Sequence, residues 1–247
     1  MKSLKSNRGR GRNRRGSTLL ESVLALVCFL LILQASLELF GTARAAFVKL
    51  EDGLSARESA QAALERIRMD VLAAGQGLAG PIALGLVAGV DPGDGETAIL
   101  SLEKSAAIAA DARGGDMALT LADASGFGAG RTVLLLEKAD SELLTVDSVS
   151  ENALRLSAPL ARGHAAADSE ILLLRKVAFS FDAGAFVLRR KVNASSAQPL
   201  LEGVVSFSMS GASPGGLVTA AVTLQERPDR VYAISIFPRN LALARTG

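Results

Sequence analysis

The stretch RRGSTLLESVLALVCFLLILQ, residues 14–34, decides the fold because it opens an apolar run that is long enough to cross a membrane. From Leu19 to Phe40 the chain is apolar apart from a few polar residues, and no proline or glycine interrupts it. About 20 such residues in a helix span the hydrocarbon core of a bilayer. Glu21 lies near the start of this run, where a carboxylate costs roughly 3 kcal/mol or more and is usually functional.

Charge is distributed unevenly along the chain. The first 16 residues, MKSLKSNRGRGRNRRG, contain seven Lys or Arg and no acid, whereas the rest of the chain carries 20 basic and 25 acidic side chains. A folded body with a net charge of −5 lacks the basic excess with which domains bind nucleic acid. The leader itself is compatible with a nucleic-acid arm, but a basic flank that stays cytoplasmic beside a membrane segment is the simpler interpretation. It predicts that the C-terminal body lies outside, which in a bacterium is the periplasm.

Helical patterning continues beyond the apolar run. Apolar residues recur at three- and four-residue steps as far as Val71, with charged residues between them. The segment AAGQGLAGP (73–81) then ends the pattern through glycine and proline. The sequence therefore predicts one helix over 17–75, membrane-spanning at 17–40 and amphipathic at 41–75.

A removable secretory signal peptide is an alternative interpretation of the same segment. ARA (43–45) offers a cleavage site after Ala45. The apolar run is longer than the usual core of a signal peptide, and the helical pattern does not stop there. These two features favour the membrane-spanning helix.

After Pro81 the periodicity of the apolar residues changes to 2, which is typical of strands. Segments rich in Gly, Pro and Asp separate the alternating runs and indicate turns. The sequence thus predicts an α+β fold, in which a long N-terminal membrane-spanning helix packs on a mostly antiparallel β body at 76–247. Strands are expected at 97–103, 117–123, 131–138, 142–149, 152–160, 170–182, 185–192, 200–211, 217–226 and 231–239.

No convincing catalytic or metal-binding constellation is found in the sequence. His164 is the only histidine, and we expect an exposed loop residue because no other ligand stands at metal-binding spacing. GFGAGR (126–131) lacks the lysine of a phosphate-binding loop, so a turn before a strand is expected. The acids of DPGDGE (91–96) match a calcium loop in composition but not in EF-hand spacing, which leaves calcium open. We therefore expect a protein without enzymatic activity, cofactor or catalytic metal.

GSTLLE, from Gly16 to Glu21, resembles the processing site of type IV prepilins and pseudopilins. That family has a basic leader ending in glycine, followed by an apolar segment with glutamate as its fifth residue. The resemblance implies that a prepilin peptidase removes the leader (1–16) by cleavage between Gly16 and Ser17, and that Ser17 is then N-methylated. Ser17 departs from the Phe or Met that is usual at this position. Similarity to pilins also implies that the Glu21 carboxylate pairs with the α-amine of a neighbouring subunit during assembly.

Later segments are similar to PilW-type minor pilins. They are AQAALERIRMDVLAAG (60–75), the strand-rich GFGAGRTVLLLEKADSELLTVDSV (126–149), PLLEGVVSFSMS (199–210), which GspJ-type proteins share, and the closing strand VYAISIFPRNLAL (231–243) with its Arg239-Asn240 pair. These likenesses imply a PilW-like minor pilin that helps to initiate or cap a type IV pilus. A GspJ-like minor pseudopilin of a type II secretion system is the near alternative. A signal-anchored periplasmic binding domain is the alternative from another class.

The resemblance also implies partners and a location. The expected partners are other minor pilins, the major pilin, prepilin peptidase and the inner membrane, with no nucleic acid bound by the folded body. The expected location is the bacterial inner membrane in a single pass, with the body in the periplasm, and then the pilus or pseudopilus.

Overall fold

A computed structural model describes residues 15–93, 95–138, 140–211 and 216–244, with side chains from Thr18 onward. It contains a long helix, α1 (Arg15–Leu72), two five-residue helices, α2 (Ala79–Ala83) and α3 (Arg239–Leu243), and a short 3-10 helix at Ala166–Asp168. The strands are β1 (Val90–Pro92), β2 (Glu96–Ala107), β3 (Ala118–Thr120), β4 (Thr132–Glu137), β5 (Asp140–Ser150), β6 (Ala153–Leu156), β7 (Ser169–Asp182), β8 (Val187–Val192), β9 (Gln198–Glu202), β10 (Val204–Ser210), β11 (Val218–Leu224) and β12 (Arg227–Ile236).

The chain divides into two compact units, one up to Asp52 and one from Gly53. The described part of the first unit is the N-terminal part of α1, which contains the apolar run from Leu19 to Phe40. The second unit contains the last turns of α1 and all of the strands. Gly53 lies inside α1 without ending it, and the guanidinium of Arg227 occupies the space where a Cβ would lie.

β7 organises the larger sheet, in which every strand pairing is antiparallel. One edge of β7 pairs with the whole length of β2, from Glu170↔Ala107 to Ser180↔Glu96. The other edge pairs with β4 through its first half and with β8 through its second half. The order β1-β2-β7-β4-β5-β6-β3 follows, with β9 added to β8.

The main core lies between the last turns of α1 and the strands. Ile67 and Val71 are fully buried on α1, and they share one cluster with residues of β2, β7, β8 and the three-stranded sheet β10-β11-β12. Burying side chains of this size stabilises the fold by roughly 1.5–3 kcal/mol each. A second cluster fills the region around β3, β4, β5, β6 and the first half of β7. The amphipathic part of α1 is therefore the element that covers the main core.

Polar contacts fix the C-terminal end of α1. Asp70 is buried, and its carboxylate accepts two hydrogen bonds from Arg190, Nε to Oδ2 at 2.7 Å and Nη2 to Oδ1 at 2.9 Å. Arg175 Nη2 donates to Oδ1 at 3.3 Å. Asn240 Nδ2 donates to the carbonyl of Leu72 at 3.2 Å and so satisfies one of the free carbonyls at the helix end. These contacts join α1 to β7, β8 and α3.

The α+β prediction is confirmed, with a long apolar N-terminal helix and a mostly antiparallel body. Four predicted strands have the wrong extent. The runs 117–123 and 152–160 are shorter in the structure, as β3 (Ala118–Thr120) and β6 (Ala153–Leu156). The run 200–211 is two strands, because Gly203 adopts φ +68° and turns the chain from β9 in the large sheet to β10 in the small one. The run 231–239 stops at Ile236, because Pro238 opens a short helix in which Arg239 and Asn240 are the first residues.

Candidate functional site

The apolar half of α1 exposes all of its side chains. Every described side chain from Thr18 to Asp52 is exposed, including large apolar ones such as Leu20, Phe29 and Phe40. Within the described residues, α1 is one helix long and apolar enough to span a membrane. Large apolar side chains in such a helix need a hydrocarbon or protein environment to cover them.

The polar residues of this segment mostly bond within the helix. Ser22 Oγ donates to the carbonyl of Thr18, and Ser36 Oγ to that of Ile32, each at 2.8 Å. Such bonds to the preceding turn allow hydroxyl side chains to lie in hydrocarbon. Glu38, the second carboxylate of the run, accepts a hydrogen bond from Gln34 Nε2 at 3.2 Å. Glu38 is thus partly satisfied by its own helix.

Glu21 differs from these residues. Among the described residues, its carboxylate has no hydrogen-bond or ion-pair partner. A helical side chain leans towards the N-terminus of its helix, so the Glu21 carboxylate is directed towards the turn that contains Ser17, four residues earlier. One turn of helix is about 5.4 Å long, so the Ser17 main chain lies about one turn before Glu21. The arrangement leaves one unsatisfied acid beside the predicted processing site.

The processing site itself is described only in part. The backbone of Gly16 and Ser17 belongs to α1, whereas their side chains and the leader at 1–14 lie outside the described residues. Cleavage between Gly16 and Ser17 and methylation of Ser17 stay predictions from the sequence.

His164 is not the exposed loop residue that the sequence predicted. It is buried, with its side chain between two carboxylates: Nε2 lies 3.1 Å from Glu142 Oε1, and Nδ1 lies 3.1 Å from Glu137 Oε2. The second contact does not have hydrogen-bond alignment, so Nδ1 has no hydrogen-bond partner. The strand register explains why the two carboxylates lie close together. Glu142 on β5 pairs with Leu135 on β4, and Leu135 is two residues before Glu137. Nothing in the spacing of the sequence indicates this contact, since Glu142 and His164 are 22 residues apart.

Glu142 is the anchor of this cluster. Burial alone would raise its pKa, but the N–H of Ala161, the ring of His164 and the N–H of Arg162 together hold the pKa below its ordinary value of 4.5. The ionised carboxylate therefore holds the loop 161–164 against β5. The His164 side chain is fully buried, with no exposed surface, whereas Glu137 is 23% exposed, so the buried part of this cluster acts as a structural clamp.

The remaining motifs behave as turns or surface residues. GFGAGR precedes β4 as a turn, in which Gly126 and Gly130 have positive φ. In DPGDGE, Glu96 pairs with Lys176 at 3.1 Å and Asp91 is exposed in β1, while Asp94 lies outside the described residues. Within the described part of the chain, no group of three or more His, Cys, Asp or Glu is placed to hold a metal ion.

Comparisons with known proteins show no family. No family model matches the chain, and no curated protein matches it. Among solved structures, it is similar to the Gp54 tailspike of Acinetobacter baumannii bacteriophage AP22, at 16% identity over 31% of this chain and 15% of the tailspike, with a TM-score of 0.28. It is also similar to the tailspike gp61 of Pseudomonas phage phi297, at 17% identity over 30% of this chain and 14% of the tailspike, with a TM-score of 0.27. The chain spans about one seventh of the length of these proteins, and likeness of this extent carries no conclusion about function.

Proposed function

We propose that this chain is a minor type IV pilin of the PilW-like group, a non-enzymatic subunit that is cleaved after Gly16, N-methylated at Ser17 and built into a filament. The observation that carries the proposal is Glu21, a carboxylate without a described partner in an apolar helix whose side chains are exposed. The resemblance of GSTLLE to a prepilin processing site supplies the missing partner, because cleavage creates a positive α-amine.

The energetics favour pairing between subunits. A lone carboxylate in hydrocarbon costs roughly 3 kcal/mol or more, and an ion pair in low dielectric offsets part of that cost. When a subunit joins a filament, its α-amine or its Glu21 can meet the opposite charge of a neighbour, which sets the axial register. The exposed apolar side chains of α1 would then be covered by the helices of neighbouring subunits.

The body is proposed to lie in the periplasm. The seven basic residues of the leader support this orientation, since positive flanks remain cytoplasmic. The proposed partners are other minor pilins, the major pilin and, for processing, prepilin peptidase.

The test compares two substitutions in the same helix. Glu21→Ala removes the carboxylate that has no described partner, whereas Glu38→Ala removes one that Gln34 already contacts. We expect both variants to be processed, and we expect the amount of Glu21→Ala in filaments sheared from cells to fall by more than about tenfold, while Glu38→Ala enters normally. Equal amounts of both variants in sheared filaments would refute the role of Glu21.

A further inference from the structure

The strands that end the large sheet are protected against pairing with another chain. β1 and β3 contain three residues each, and β1 ends in Pro92. β9 contains five residues, among them Pro199 and Glu202. Short strands, prolines and charges are the usual means by which natural sheets avoid edge-to-edge association.

The paired ladders at the two edges of the small sheet lack these features, although β12 begins with Arg227, Pro228, Asp229 and Arg230 ahead of its ladder. Six residues of β12 form an uninterrupted ladder with β11, from Val231↔Thr223 to Ile236↔Val218. This six-residue ladder contains no charged residue and no proline. β10 is likewise uncharged and pairs with β11 from Ser206↔Thr223 to Ser210↔Thr219. Among the described strands, each of these two pairs only with β11, so each leaves backbone N–H and C=O groups free on its other side. The exception at the start of β10 is the N–H of Val204, which donates to the carbonyl of Phe186 at 2.9 Å.

The solvent face of this sheet is also small and uncharged. Ser208, Ala221 and Ala233 lie side by side across the three strands, and the neighbouring rows are also uncharged and consist of Ser and Thr apart from the exposed Val231. The side chains of Ser208 and Ala233 are exposed. Among the described residues, this face carries no charged side chain that would prevent another strand from joining either edge.

Charges of opposite sign, neither in an ion pair with a described residue, stand at the same end of the two edge strands, and the Arg230 guanidinium lies 5.6 Å from the centre of the Tyr232 ring. Glu202 precedes β10 and is exposed, while Arg230 precedes the ladder of β12 and is exposed. Neither side chain forms an ion pair with a described residue. The register places Val204, Leu224 and Arg227 in one row, so the acid and the base both lie at that end of the sheet.

We propose that β12 of one chain pairs in parallel with β10 of a second copy, so that the small sheet continues from copy to copy. In this arrangement Arg230 of one copy faces Glu202 of the next. The copies are related by a translation, which keeps their α1 helices pointing in the same direction, as two chains anchored in one membrane require. Such a head-to-tail contact does not close and therefore permits a row of subunits. This inference goes beyond the proposed function, because it concerns the body and does not depend on Glu21 or on processing.

Cross-linking of the full chain, purified in detergent, tests the geometry. In a Cys28→Ser background, which has no other cysteine, Ala233→Cys and Ser208→Cys place one thiol on each edge in the same row. A short bis-maleimide should give a ladder of multimers with the double variant and only monomer with either single variant. A dimer from Ala233→Cys alone would mean that like edges pair, and monomer throughout would mean that the edges do not pair. Either result would overturn the proposal.

A charge exchange tests the register. Arg230→Glu and Glu202→Arg should each weaken self-association of the full chain by about fivefold, since each brings like charges together at an exposed contact. The double exchange should restore the dissociation constant of the unaltered chain. Recovery excludes misfolding as the cause of the single-variant losses, because such losses would persist in the double variant. Failure of the double variant to recover would refute the parallel pairing.

Discussion

Asp70 provides a sensitive test of how α1 is held to the strands. Its side chain is 5% exposed, and its main partner Arg190 is 15% exposed, so the pair is largely removed from water. Asp70→Ala would leave the Arg190 guanidinium buried without an anion and would also remove the contact to Arg175. Breaking a buried pair by removing one partner costs about 3–5 kcal/mol. We expect the free energy of unfolding to fall by that amount.

The control is an exposed ion pair on the same helix. Arg68 bonds Glu65 at 2.7 Å, with both side chains about half exposed, and such i,i+3 pairs contribute about 0.3–0.5 kcal/mol. Glu65→Ala should therefore change stability little. The assay is urea unfolding of the full chain in detergent, followed through Tyr232, the only tyrosine in a chain without tryptophan and a buried member of the core that α1 covers. If Asp70→Ala and Glu65→Ala differ by less than about 1 kcal/mol, the buried pair does not hold the helix in place.

Two further substitutions test the clamp and the core. Because the folded pKa of Glu142 is lowered, the contribution of its carboxylate to stability is present above pH 4.5 and is lost as the pH falls through the folded pKa. The Glu142→Gln variant should therefore be less stable than the unaltered chain at neutral pH. The difference in stability between the two should shrink in unfolding curves measured at acid pH. A constant difference across pH would show that the charge of Glu142 does not matter. Ile67→Ala should lower the free energy of unfolding by about 2–5 kcal/mol, since Ile67 is fully buried, whereas the exposed Met69→Ala on the same turn should change it by less than about 0.5 kcal/mol. Similar losses for both, measured by urea unfolding, would contradict the packing of α1.

The patterns that could be read from the sequence are those set by local periodicity. The 3.6-residue repeat predicts α1, and the 2-residue repeat predicts the centres of the long strands β2, β4, β5, β7 and β11. Two of the errors arise where one residue changes the direction of the chain. Gly203 divides the run at 200–211, and Pro238 opens the helix that ends the run at 231–239.

Contacts between distant segments could not be read in the same way. Asp70 lies on the buried side of α1 beside Val71. A charged residue at an apolar position of the helix was the one feature of the sequence that could have indicated a buried ion pair. Its partners Arg175 and Arg190 are 105 and 120 residues away, on strands whose register only the fold determines. The same holds for His164, where burial depends on the pairing of β4 with β5. Glu21, in contrast, was predicted as a candidate site residue from local sequence alone, because a carboxylate in an apolar run is unusual whatever the fold of the rest of the chain.

The central claim is that cleavage after Gly16 exposes an amine one turn before Glu21. It is tested most directly by the intact mass and N-terminal sequence of the protein recovered from the native membrane fraction. We predict a chain that begins at Ser17 and carries one added methyl group. A chain that begins at Met1 would contradict the claim, because Glu21 would then have no α-amine nearby in any subunit. A chain that begins at Ala46 would also contradict it, because Glu21 would have been removed with the preceding segment.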